Sequence, residues 1–145
     1  MTQETTIRLL KLAAFGSVCF GLALVLALIT PLRGVFDIFF DLVHYPLDGQ
    51  QTLTSDSGRV LAAITGGLMV GLGAIVWRIV QDIYPQDPAT GGRIILLGVW
   101  TWYLPDSFGS VMVGAWFNVV PNTVFLALFV LPILLHSHSQ RAPEG

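Results

Sequence analysis

Charged side chains supply only 11% of this sequence, against about 25% in an ordinary soluble domain. A chain of 145 residues buries only about 70% of its surface on folding, so the shortage cannot be hidden in a larger core. The surface itself must be largely apolar, and lipid is the solvent that accepts it. The one cysteine, Cys19, sits inside an apolar run, which excludes an internal disulfide, a CxxC redox pair and a cysteine zinc site. Lys11 is the single lysine and the net charge is −2, so there is no basic field for nucleic acid. No GxxxxGK[ST] motif occurs, which removes nucleotide binding through a P-loop. No histidine lies deep in an apolar stretch, which removes a bis-histidine haem. His136 and His138 read as part of a short solvated tail, and no cofactor is expected.

What the chain has is apolar length. Lys11 and Arg33 are separated by 21 uncharged residues, Arg59 and Arg78 by 18, and Arg93 and Arg141 by 47 in which Asp106 is the only charge. A helix crossing about 30 Å of hydrocarbon needs about 20 residues, so the first two stretches hold one helix each and the third folds back once. The expected fold is all-α: an integral membrane four-helix bundle forming a single domain over 1–145. Its spans are placed at about 9–32, 59–77, 93–113 and 121–135. The reversal in the third stretch is placed at Gly114, Asn118, Pro121 and Asn122, with Trp116 as an interfacial anchor. The first stretch exceeds the usual apolar core of a signal peptide, about 7–15 residues, and reads as an uncleaved anchor. Arg8, Lys11, Arg78, Arg93 and Arg141 fall on one side, Arg33 and Arg59 on the other. That bias puts both termini in the cytoplasm.

The first extracytoplasmic loop opens with an amphipathic segment over about 35–44. Asp37, Asp41 and His44 fall within about 60° of one another on a helix, with apolar side chains around the rest. This predicts an interfacial helix with a wetted stripe; the same three residues are also a candidate metal set. Asp106 is the sharpest feature, because an acid inside a span faces a bundle interior or a polar cavity. Ser107, Ser110, Asn118 and Asn122 are expected at the same level, and Pro105 predicts a kink or break in the third span. The structural alternative pairs Asp106 with Arg33 or Arg59. Gly66, Gly67, Gly71 and Gly73 mark a packing face, with Gly67 and Gly71 as a GxxxG pair. Trp100, Trp102 and Tyr103 are expected to pack against that glycine-rich helix, or to contact a flat ligand such as a quinone or pigment.

Pro46-Leu47-Asp48-Gly49, Gly66-Gly67, Tyr84-Pro85-Gln86-Asp87-Pro88, Asp106-Ser107-x-Gly109-Ser110 and Gly114-Ala115-x-x-Asn118 punctuate the chain. On these motifs the sequence resembles small four-span inner-membrane proteins of alphaproteobacterial type, over about residues 15–135. The resemblance implies a bacterial inner membrane and carries no activity across. Short loops without a catalytic set favour a non-enzymatic accessory or assembly subunit, docking other membrane subunits or its own copy through the glycine faces. The alternative is a small transporter or ligand-binding membrane protein using Asp106. A lipid-modifying enzyme comes third and needs the Asp37, Asp41 and His44 set to hold a metal.

Overall fold

The computed structural model describes residues 1–141, with side chains through Ser139. Among the described residues helix accounts for 81% and no strand occurs, so the all-α expectation holds. The elements are α1 (Gln3–Ala27), α2 (Arg33–Val43), α3 (Asp56–Asp82), α4 (Pro88–Met112), one 3₁₀ turn (Trp116–Asn118) and α5 (Val119–Arg141). Arg141, counted above among the cytoplasmic cations, closes α5, and its side chain lies outside the described residues.

The long helices run past the charge-free stretches because capping residues, not the first apolar residue, start them. The Thr2 hydroxyl accepts from the Thr5 amide, that of Ser55 from Gly58, and the Asp87 carboxylate from Thr90 with Pro88 in the first turn. Glu4 and Asp56 lie in first turns, where an acid complements the helix dipole. α1 stops at Ala27 rather than near residue 32, because Pro31 lacks the amide that would continue it and disfavours helix at Thr30. α4 runs unbroken through Pro105, so the expected break is absent. α1, α3 and the segment Trp116–Ser139 are long and apolar enough to cross a membrane. α4 is not among them, because Trp100, Thr101, Trp102, Tyr103, Pro105, Asp106 and Ser107 lower the hydropathy of its second half.

α1 and α3 form the closest pair. A Cβ placed on Gly21 would fall 2.5 Å from the Gly66 carbonyl oxygen, and one on Gly73 would fall 2.7 Å from that of Ala14. The Ser17 hydroxyl, fully buried, donates to the Met69 carbonyl at 3.0 Å in the same seam. Gly67 and Gly71, the expected GxxxG pair, have open space where a side chain would go. The reason is helical phase: Gly66 and Gly73 lie about 20° apart around α3, whereas Gly67 and Gly71 are turned about 100–140° from Gly66.

Two apolar clusters divide the molecule lengthwise. At the end carrying the termini, Leu10 and Ala14 of α1 meet Val76 and Val80 of α3, Ile95 and Val99 of α4, and Leu126, Phe129 and Ile133 of α5. At the opposite end, Leu24, Ala27, Phe36, Leu53 and Ala62 join only α1, α2, the following loop and α3. The buried residues thus join all four long helices at one end and only α1 and α3 among them at the other. Phe36 and Phe39 of α2 sit edge-on to Phe20 at 5.7 and 6.1 Å. Tyr45 reaches Trp116 at 6.3 Å, so the α2 segment bridges α1 to the turn between α4 and α5.

The seam makes a residue-specific forecast. Gly66→Leu places a branched side chain against the α1 backbone and is expected to cost about 1–3 kcal/mol or more. Gly67→Leu, one residue on, meets nothing and should leave stability unchanged or slightly raised through helix propensity. Thermal unfolding of both variants in the same detergent checks the register: equal effects would overturn it.

Candidate functional site

The parting of the helices opens a cleft of 1530 Å³ lined by α1, α2, the loop at 50–55, α3, α4, the 3₁₀ turn and α5. Its walls are apolar along most of their length, including Leu9, Leu12 and Phe20 on one side and Val124, Leu128 and Leu131 on the other. At the α2 end the lining turns polar, with Asp106, Ser110, Asn118 and Asn122 from α4, the 3₁₀ turn and α5, and His44, Gln50, Gln51, Thr52, Thr54 and Ser55 from the segment between α2 and α3.

Local geometry explains how these residues meet. Asp106 and Ser110 stand four residues apart on one face of α4, and the Ser110 hydroxyl donates to Asp106 Oδ1 at 3.2 Å. Gly114 then takes a positive φ of 84°, a backbone state open to glycine at little cost, and turns the chain back. The 3₁₀ turn that follows carries Asn118, whose Nδ2 donates to Ser110 Oγ at 2.9 Å and to Asp106 Oδ1 at 3.4 Å. One turn into α5, Asn122 Nδ2 donates to the Ser107 hydroxyl at 3.3 Å, and both side chains are buried. All five residues of the expected polar group are thus hydrogen-bonded, Asp106, Ser110 and Asn118 in one set and Ser107 and Asn122 in a pair.

The alternative partners of Asp106 are occupied elsewhere. Arg33 pairs with Asp37 at 3.6 Å, and Arg59 donates to the Leu28 carbonyl at 3.5 Å. Asp106 is the only carboxylate among the described residues that line the cleft, and no lysine or arginine lines it.

The aromatic trio behaves differently from the expectation of packing on α3. Trp102 stands edge-on to Phe125 of α5 at 5.3 Å, and the Tyr103 hydroxyl meets the Thr123 hydroxyl at 3.0 Å. Trp100 is exposed and edge-on to Tyr103 at 5.7 Å. α4 therefore leans on α5 and touches α3 only sparsely. The rings pair edge-on, not as the parallel slot that would sandwich a quinone or pigment; only Trp102 reaches the cleft.

Asp37, Asp41 and His44 do not converge on one point. Asp37 Oδ1 accepts the Leu53 amide at 2.7 Å, and Asp41 Oδ1 accepts the Gly49 amide at 2.9 Å. With the Gln51 amide turned so that its nitrogen faces the acids, it donates to Asp41 at 2.8 Å and Asp48 at 3.1 Å. His44 Nδ1 donates back to the Phe40 carbonyl at 2.9 Å. Among the described residues no three metal-ligating side chains come together, so this stripe staples the loop to α2. Burial pushes the Asp41 carboxyl up, but hydrogen bonds from Gly49, Asp48 and Gln51 outweigh it and hold it below its ordinary 3.8.

At the other end, the reading of His136 as tail is corrected. α5 continues to Arg141, so His136 extends the buried stripe of Leu126, Phe129 and Ile133, and its Nδ1 meets the buried Tyr84 hydroxyl at 2.9 Å. That helical spacing is the signal in the sequence; the polar run His136-Ser137-His138-Ser139 after Leu135 masks it. Burial also raises the Tyr84 hydroxyl above its ordinary pKa of 10.0.

Because the folded Asp41 pKa is depressed, its contribution is complete above the unfolded value near 3.8 and is lost as pH falls through the lower folded value. Asp41→Asn should accelerate amide hydrogen exchange in 46–54 at neutral pH, and the wild-type loop should approach the variant's rate only in acid below that range. Equal exchange at neutral pH would contradict the staple. Comparison with known protein families, with curated proteins and with solved structures returns no match, so the site is read on its own chemistry.

Proposed function

We propose that this chain is a membrane-embedded binding protein for a long-chain amphiphile, held in the cleft between α1 and α5. One observation carries the reading: a large, mostly apolar cleft whose polar end holds the hydrogen-bonded set Asp106, Ser110 and Asn118, with Asp106 as its one carboxylate among the described residues. Its 1530 Å³ exceeds the roughly 300–1,000 Å³ of ordinary small-molecule pockets, which suits an extended apolar chain with a polar head.

Membrane residence supports the reading. Only 28–33% of the apolar window of each candidate span is buried inside the fold, while Leu68, Leu97, Leu104 and Phe108 are exposed outside the cleft. An apolar exterior of that extent calls for lipid. We place α4 as a fourth span, sheltered by α5, with both termini cytoplasmic and the α2 end facing outward in a bacterial inner membrane. The bias of cations toward the termini and the α3–α4 turn supports this orientation.

A second reading, docking of a partner membrane subunit, is favoured by the open outward face at Gly67 and Gly71. Gly66 and Gly73 are already used inside the fold and are not available to a partner.

Cleft-filling substitutions separate these readings. Gly16 and Ala127 line the cleft, and Gly16 has open space around it. The double variant Gly16→Trp, Ala127→Trp should fold but lose a long-chain amphiphile that the wild type retains through mild-detergent purification, read by native mass spectrometry. Equal retention by both proteins overturns the cleft reading. A stoichiometric protein partner released by Gly67→Leu, Gly71→Leu would establish the docking reading instead.

A further inference from the structure

We propose that the head group held at the polar end is a primary ammonium, so that the ligand is a long-chain amine without a phosphate. This rests on the cleft reading above and adds the chemistry of recognition. Lone pairs and protons at Asp106, Ser110 and Asn118 decide which head group fits. Ser110 Oγ–H is directed at Asp106, and both contacts of Asn118 Nδ2 are to Asp106 and Ser110. The Asn118 orientation follows from Ser110, whose proton goes to Asp106 and whose oxygen therefore accepts from Nδ2. The cluster's donors are therefore turned inward on one another. Among the described residues none donates to Asp106 Oδ2 or to Asn118 Oδ1.

What Asp106 Oδ2 and Asn118 Oδ1 offer is acceptor capacity, and an ammonium is its complement: three donors, no acceptor. Charge points the same way. The three ion pairs among the described residues, Arg8–Glu4, Arg33–Asp37 and Arg78–Asp82, all lie away from Asp106. No lysine or arginine among the described residues pairs with Asp106, and an ammonium supplies a charge-assisted partner for a carboxylate. The remaining ionisable side chain of the lining, His44, gives its Nδ1–H to the Phe40 carbonyl. A phosphate head would meet Asp106 with no lysine or arginine in the lining to offset it, which excludes an aminophospholipid as the preferred source.

The test uses the full chain in phosphatidylcholine nanodiscs and radiolabelled octadecylamine, competed by unlabelled octadecylamine, octadecanol and phosphatidylethanolamine. The expected result is saturable binding in which the amine competes at least about tenfold better than the alcohol, the size of one charge-assisted hydrogen bond. Asp106→Asn should erase that preference while keeping binding of the alcohol. Asp106→Glu, which retains the charge, should restore preference for the amine and guards against a folding defect in the amide variant. Saturable binding with equal affinity for amine and alcohol overturns the ammonium assignment and leaves the cleft reading standing. Competition by phosphatidylethanolamine equal to that of the free amine overturns the phosphate-free assignment. No saturable binding of any chain overturns both.

Discussion

Backbone meets backbone where α1 crosses α3, and the rest of the arrangement follows from that contact. Lipid tails are as apolar as leucine, so helices in a bilayer gain little from burying side chains against each other and associate where they approach closely. Gly21, Gly66 and Gly73 allow that approach, and Ser17 adds a hydrogen bond within it. With α1 and α3 held together along their length, α4 and α5 attach through the cluster around Phe129 and Tyr84 at the end carrying the termini. Nothing comparable draws them to α1 at the α2 end, and the cleft is the space that remains.

Acids at the α2 end divide by the donors they meet. Asp37 and Asp41 receive backbone amides from the loop they anchor, so their charge is spent on ordering a segment that has no regular structure of its own. Asp106 receives only side-chain donors from Ser110 and Asn118. It sits on α4, where an unbroken helix already satisfies most backbone groups and needs no staple. An acid with no structural amide to hold, at the end of an apolar cleft, is free to hold something else.

Much of this layout is legible in the sequence, for definable reasons. Apolar stretch length and the Gly114–Asn122 cluster locate the helices and the reversal, since both depend on local chain properties. The polar set from Asp106 to Asn122 stands out because each member interrupts an apolar run. Helical phase against a partner is not local. Gly67 and Gly71 fit a GxxxG spacing as well as any pair, and only the presence of α1 on the other side selects Gly66 and Gly73. For the same reason Trp102 finds Phe125 rather than the glycine-rich helix. His136 was obscured by counting polarity instead of continuing the stripe from Phe129 and Ile133.

The central claim is that α4 and α5 stand away from α1 at the α2 end and leave room for an apolar chain. A map by electron cryomicroscopy of the chain in a lipid nanodisc, carried on a bound antibody fragment, addresses it most directly. The account predicts elongated non-protein density between α1 and α5 with one end beside Asp106. Helices closed on one another there, with Phe20 and Leu128 in contact and no room between them, would contradict it.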